Sequence, residues 1–321
     1  MTPTRTALVA ALLLAGCAPR TVDMRLPTPQ PAEPVRQVAS AEPVGQIASV
    51  EPVRQIAPAE PVNPGKTYQW MGSGEAAALS RQGWQALTRF VLAAAKARPA
   101  DSVVLADGTA PDAPRFVPCS SKPPAIVLDM DETSILNTGA NYDTAHRGDP
   151  PFDAARWDAW EKNGGSYVEP VPGAVEAIAA IRSSGVTPIW ISNRRNSNAA
   201  GAAAALQAAG LGDAEAGETL LLQGDVAPGS GKDPRRASIA AKYCVLAMGG
   251  DQLGDFSDLF NAKGLPIPAR RALAQAPAIR DLWGKGWFLM PNPLYGPGVA
   301  GTFDDIFPAD KRWPGPQTEK K

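Results

Sequence analysis

The sequence predicts an α/β fold, a doubly wound parallel sheet carrying a small helical insertion as a cap. Three observations lead there. Residues 125–128 (AIVL) form an unbroken apolar run behind Pro123 and Pro124, the pattern of a strand buried on both faces. Further short apolar runs at 186–191, 219–222 and 245–248 alternate with helical patterns at 173–184, 198–209 and 234–242. Such alternation builds βαβ units. The residues able to do chemistry follow these runs or open the next helix, where open α/β sheets bind their ligands.

At 321 residues with 44% hydrophobic content, the chain can bury a substantial core, and its net charge of −1 argues against nucleic-acid binding by bulk charge. Arg5 followed by the apolar run 7–15 reads as an export signal, too short for a membrane-spanning helix. It ends in Leu14-Ala15-Gly16-Cys17, which resembles a bacterial lipobox. That resemblance implies a signal peptide at 1–17, lipidation of Cys17 and an outer-membrane location, with the folded domain facing the periplasm or cell surface.

Residues 18–65 form a tether in which Glu33, Glu42, Glu51 and Glu60 recur every nine residues, each before Pro-Val. A proline at that interval forbids long helices, and the composition cannot bury a core. The tether's expected reach is roughly 40 to 150 Å. The globular domain is expected over 66–310, with the cap insertion at about 141–173 and a polar tail at 311–321.

Within the domain, a helix over about 75–96 carries the apolar stripe Leu79, Trp84, Leu87, Val91 and Leu92, with Ser73 or Gly74 to cap it. Residues 98–119 read as loop, with many prolines and aspartates. Cys119 and Cys244 fit either a disulfide or two buried thiols. The insertion gathers Phe152, Trp157, Trp160 and Tyr167, the material of a substrate wall. The only histidine, His146, lies in this insertion and reads as surface, which leaves histidine-dependent hydrolysis without support.

Three carboxylates, Asp129, Asp131 and Glu132, follow the first run. On an extended backbone Asp129 and Asp131 point to one side and repel unless a cation sits with them. Hard divalent cations such as Mg²⁺ take oxygen ligands of this kind. A strand-end hydroxyl (Ser192), a lysine (Lys232) and further acids (Asp251, Asp255) complete what phosphoryl transfer through an aspartyl-phosphate requires. In this reading Asp129 attacks phosphorus, and Asp131 donates a proton to the leaving oxygen. Ser192 and the Asn193 backbone N–H bind phosphoryl oxygens, and Lys232 supplies positive charge. The GSGK segment around Lys232 is not a phosphate-binding P-loop, because no Ser or Thr follows the lysine.

VLDMDETSILNTGANY and MGGDQLGDF, supported by WISNR, GKDPRR and FLMPNPLYG, resemble the haloacid-dehalogenase-like (HAD) phosphohydrolases. More closely they resemble the class C non-specific acid phosphatases, which include outer-membrane lipoprotein 5′-nucleotidases. The resemblance spans about residues 66–310. It implies Asp129 as nucleophile and Asp131 as acid/base. It implies Mg²⁺ on Asp129, Asp251 and the Asp131 backbone carbonyl, with Asp255 supporting the metal through water. It also implies an acid optimum, with Asp131 protonated as the leaving group departs, and phosphomonoesters such as 5′-nucleotides as substrates. Aromatic residues clamp ring-bearing substrates in that family, and Tyr142, Trp157 and Tyr295 are the candidates here. Gln252 and Gly254 depart from the family pattern of an asparagine and an acid at those places. A homodimer is compatible with the resemblance. The alternative is an inactive HAD-fold lipoprotein that binds a nucleotide or another ligand.

Overall fold

The computed structural model describes residues 63–315. The signal segment, the lipidation site at Cys17, almost all of the tether and the last residues of the tail lie outside the described residues. Among those described, no helix is long and apolar enough to cross a membrane.

The chain runs α1 (Lys66–Met71), α2 (Gly74–Ala97), β1 (Asp101–Leu105), β2 (Phe116–Pro118), β3 (Pro124–Leu128), β4 (Ile135–Leu136), α3 (Thr138–His146), α4 (Ala154–Asn163), β5 (Glu169–Pro170), α5 (Ala174–Ser183), β6 (Thr187–Arg195), α6 (Ala199–Ala208), β7 (Leu220–Gln223), α7 (Asp233–Lys242), β8 (Cys244–Gly250), α8 (Ile267–Ala274), α9 (Pro277–Arg280), β9 (Trp287–Leu289) and α10 (Phe303–Ile306). Five strands form one sheet in the order β7-β6-β3-β8-β9, every neighbour parallel. The doubly wound parallel sheet is therefore observed.

Its central strand is the first apolar run, with Ala125, Ile126 and Leu128 sealed from solvent. Helix α2 covers one face. Ser73 accepts a hydrogen bond from the Ala76 N–H at 3.2 Å, capping its start, and Trp84, Leu87 and Val91 are fully buried against the sheet. Each such side chain contributes roughly 1.5–3 kcal/mol of burial. The opposite face gathers Trp287, Phe256, Phe260 and Trp283, whose rings meet at 5.0–6.4 Å.

Several expectations are corrected. Residues 98–119 are not all loop, because β1 and β2 pair antiparallel there; Pro118 ends β2 opposite Asp101, and Pro99, Pro111 and Pro114 lie outside both strands. A fifth sheet strand, β9, was not predicted, since WFL is too short to show a period. Strand β6 runs four residues past the predicted end at Ile191, because its polar end still pairs with β7 through Arg195 and Gln223. Of the two states left open for Cys119 and Cys244, the structure has the disulfide, Cα atoms 4.5 Å apart, which ties the end of β2 to the start of β8. The cap is helical and begins slightly early, with α3 and α4 both within the insertion between β4 and β5.

Candidate active site

Asp129 follows β3 directly, and its N–H donates to the Gly249 carbonyl of β8 at 2.8 Å. Beyond it the chain turns sharply. Ser134 Oγ donates to the Asp129 carbonyl at 2.8 Å and accepts from Trp190 Nε1 at 3.0 Å. At Glu132 the backbone enters the left-handed region (φ 56°), which Glu adopts only where its surroundings compel it. Here the buried Glu132 carboxylate accepts from the Asn137 N–H (3.0 Å), Asn137 Nδ2 (2.9 Å), Asn141 Nδ2 (3.1 Å) and the Tyr295 hydroxyl. These bonds lock the turn that aims Asp129 and Asp131.

Asp251 directly follows strand β8. Its carboxylate accepts from Thr133 Oγ1 (3.0 Å), Asn292 Nδ2 (2.7 Å) and Gln252 Nε2 (3.1 Å). Asp255 turns back, and its Oδ2 accepts from the N–H groups of Asp251 (3.1 Å) and Gln252 (2.8 Å). Gly250 is required there, since a Cβ would lie 2.3 Å from Asp255 Cβ. At Gly254 a Cβ would lie 2.1 Å from Asn261 Nδ2, so any side chain there would require the Asn261 amide to swing aside.

Asp129, Asp251 and Asp255 each offer an oxygen within 4.8 Å of the others, all buried. Lys232, at the start of α7, donates to Asp129 and, at 2.7 Å, to Asp255. One ammonium does not balance three carboxylates. Burial, and then the neighbouring acids, push the Asp129 carboxyl well above its usual value even beside Lys232. Burial and then Asp255 push Asp251 up to about 7. Crowded hard oxygens that resist ionisation are the donor set a divalent cation would relieve, so these residues fit one. The Asp131 carboxylate is not among them. It faces Arg194, which donates to it from Nη2 (2.7 Å) and Nε (3.1 and 3.3 Å), while Asn137 Nδ2 (3.0 Å) and Ser192 Oγ (3.2 Å) also donate. Burial would raise Asp131, but the Arg194 charge and these hydrogen bonds hold it below the ordinary carboxylate value. In the free site the carboxylate form of Asp131 is therefore the favoured one.

These groups open into a cavity of about 1260 Å³ under the cap. Asp129, Asp131, Asn193, Lys232, Asp251 and Asp255 line it; Ser192 does not. The Ser192 hydroxyl is spent on Asp131 and on the Arg194 N–H (3.1 Å), so the structure does not bring it to the cavity as a phosphate ligand. Asn193 Oδ1 accepts from the buried Arg235 at 2.6 Å, which sets the strand end. Of the aromatic candidates, Tyr142 is 68% exposed on the cavity wall and stacks on His146 at 5.5 Å; Trp157 lines the same wall beside Phe152 and Tyr167. Tyr295 lines the cavity too, yet its hydroxyl is turned inward to Glu132. At the rim, Tyr68 of α1 donates to Asp149 of the cap loop at 2.8 Å.

Comparison with known proteins places this geometry. Residues 67–298 match the family described as HAD superfamily, subfamily IIIB (acid phosphatase). The chain belongs to this family. It is similar to the class C acid phosphatase from Bacillus anthracis, at 27% identity and a TM-score of 0.55 over 71% of this chain and 83% of that one. The same relative with tungstate bound gives 27% identity and a TM-score of 0.54, covering 71% and 82%. No curated protein matches. The chain is an acid phosphatase, a phosphomonoesterase of the HAD fold.

Sequence reasoning missed Arg194, Asn137 and Asn292. Arg194 stood in the quoted WISNR segment. Had that strand been extended, period-two alternation would have put Arg194 on the same side as Ser192. Asn137 and Asn292 stood in the quoted VLDMDETSILNTGANY and FLMPNPLYG segments, but the acceptors their amides meet, Asp131 and Glu132 across the turn and Asp251 across the fold, show only in the structure.

Proposed function

We propose that this phosphatase uses Mg²⁺ to hydrolyse phosphomonoesters of ring-bearing small molecules, 5′-nucleotides foremost, while anchored to the outer membrane by lipid on Cys17. The carrying observation is that the carboxylate cluster and Lys232 lie at the floor of a 1260 Å³ cavity whose wall presents Tyr142, Phe152, Trp157 and Tyr167. A cavity this large exceeds what phosphate alone needs, and flat side chains at its wall suit a planar ring.

Asp129, Asp251 and Asp255 would hold the cation, together with the Asp131 carbonyl. When bound, the cation supplies positive charge that offsets the repulsion between a carboxylate nucleophile and a phosphate dianion. An Asp129 oxygen forms a bond to phosphorus as the bond to the ester oxygen breaks. Asp131, having taken up a proton as the acidic medium and the incoming dianion favour, gives that proton to the departing oxygen. The resulting Asp131 carboxylate then accepts a proton from the water that attacks phosphorus, releasing inorganic phosphate and restoring Asp129. Lys232 and the Asn193 backbone N–H bind the phosphoryl oxygens in this reading, a role supported by the hydrogen bond of Lys232 to Asp129.

The deciding assay is hydrolysis of a chromogenic aryl phosphate at mildly acid pH, in Mg²⁺ and in EDTA, followed by a panel of 5′-nucleotides against glycerol phosphate. Metal-dependent turnover that Asp129→Asn abolishes, with nucleotides preferred, is expected. Undiminished turnover by Asp129→Asn would refute the nucleophile, and equal rates across the panel would refute the ring preference. Membrane recovery lost on Cys17→Ser tests the anchor.

A further inference from the structure

Lys232 serves Asp129, and Arg236 serves Asp233, Asp258 and two carbonyls. Arg194 is committed to Asp131. Strand β6 alternates buried Ser192, exposed Asn193, buried Arg194 and exposed Arg195, so Ser192 and Arg194 project to the Asp131 side. The Arg194 residue is 1% exposed. Its Nε and Nη2 straddle the Asp131 carboxylate at 2.7–3.3 Å. Nη2 also donates to Asn137 Oδ1 at 3.0 Å, and Asn137 Nδ2 returns to Asp131 at 3.0 Å, closing a ring of three side chains. The cap closes over it: Trp160 Nε1 donates to the same Asn137 oxygen at 3.0 Å, and the Trp157 ring lies 6.0 Å from the guanidinium carbon.

Burying a guanidinium is expensive, and an apolar pair of similar volume commonly serves stability as well or better. What a planar fork offers and an apolar pair does not is direction. Asp131 reaches its carboxyl through only two rotatable bonds. Proton transfer to a leaving oxygen needs about 2.6–3.2 Å between heavy atoms, and a misplacement of about 1 Å can cost on the order of 100-fold in rate. We infer that Arg194 is the positioning residue of the acid/base in this phosphatase, aiming the Asp131 carboxyl at the leaving oxygen with Asn137 as its brace. This rests on the reading of Asp131 as acid/base given above. Arg194 also faces the carboxylate that remains on Asp131 once its proton has gone to the leaving oxygen, the form needed to accept a proton from water in the second step.

The test compares a poor leaving group, glycerol phosphate, with a good one, 4-nitrophenyl phosphate, through kcat/KM, which reports the step in which the ester bond breaks. The variants are Arg194→Lys, which keeps the charge and loses the fork, Arg194→Gln, and Asp131→Asn. General acid catalysis contributes about 10²–10⁴-fold. Arg194→Gln should therefore lower kcat/KM for glycerol phosphate by about 100-fold or more and for 4-nitrophenyl phosphate by less than about tenfold. Inhibition by inorganic phosphate should be unchanged, and Arg194→Lys should not restore the selectivity. Asn137→Ala, which keeps Arg194 and removes its brace, carries the same expectation should Arg194→Gln fail to fold. Equal losses on both substrates, or weakened phosphate inhibition, would overturn the inference and make Arg194 a structural or phosphate-binding group. If Asp131→Asn discriminates the two substrates and the Arg194 variants do not, this inference alone falls. If Asp131→Asn does not discriminate them, the acid/base reading falls with it.

Discussion

Consider Asp251→Asn in protein stripped of cations by EDTA at pH 7.5. Asp251 is 8% exposed, crowded by Asp255 and raised from 3.8 to about 7. Its folded-state value lies above its unfolded one, so the stability it contributes is fully present below about pH 4 and is lost as pH rises through about 7. At pH 7.5 the ionised side chain therefore costs the folded state about 4 kcal/mol. Asparagine removes that charge and keeps one acceptor for Asn292 and Gln252, while its amide can meet the Thr133 hydroxyl, rotated to accept. Allowing about 1 kcal/mol for the altered hydrogen bonds, the variant should be more stable by about 2–3 kcal/mol. That raises Tm by roughly 4–12 °C in a domain of this size. At pH 5 the gain should shrink to about 1 kcal/mol or less, because the wild-type side chain is then already protonated when folded. In saturating Mg²⁺ the order should reverse. The wild type gains about 4.1 kcal/mol at a thousand times its Kd, more than the variant's advantage in EDTA, whereas the variant has lost a ligand. Thermal unfolding by circular dichroism at the two pH values, with EDTA and with Mg²⁺, measures all of this. A variant less stable than wild type in EDTA at pH 7.5, or a gain that does not change with pH, would refute the account of Asp251 as a charge held in place for a cation.

Replacing Cys119 and Cys244 together by alanine releases a crosslink spanning 125 residues of sequence. It should cost about 2–4 kcal/mol and lower Tm by roughly 5–15 °C. Turnover at 25 °C should be unaffected, because the crosslink sits at the opposite end of the strands from Asp129; two alkylatable thiols in the native protein would contradict the bond. Gly201→Ala places a Cβ 2.1 Å from the Glu161 carbonyl, so α4 must shift on α6 at about 1–3 kcal/mol. Since α4 carries Trp157 and Trp160, KM for nucleotides should rise several-fold while inhibition by inorganic phosphate stays the same. Tyr295→Phe takes one donor from the buried Glu132, which Asn137 and Asn141 still serve. A loss of about 1–2 kcal/mol is expected by denaturant unfolding, with 4-nitrophenyl phosphate turnover largely retained.

Much of the architecture was legible because its signals are local. An apolar run such as Ala125–Leu128 has no stable place except between two layers, and acids set at the end of such a run fall at the mouth of a parallel sheet. That is why Asp129, Lys232 and Asp251 could be named together as a cluster, although they lie far apart in the chain. The stripe of Leu79, Trp84, Leu87, Val91 and Leu92 likewise announced α2 through spacing alone, although Leu79 at its start is left exposed. The short pieces β1, β2 and β9 were not legible, since three to five residues hold too little pattern and depend on pairing with distant partners.

What the tertiary structure decided is direction. Ser192, Asp131 and Tyr295 were all recognisable as site material, but a sequence does not state which way a hydroxyl or carboxylate turns. Packing of β6 beside β3 brings Arg194 against Asp131 and draws the Ser192 hydroxyl away from the cavity. Closure of the C-terminal loop turns the Tyr295 hydroxyl toward Glu132. Residue types and their order determined which chemistry the chain can perform. The meeting of side chains from separate strands determined which oxygen faces a cation, which faces an arginine and which is left to face substrate, because hydrogen bonds and charges act over a few ångströms of space rather than along the chain.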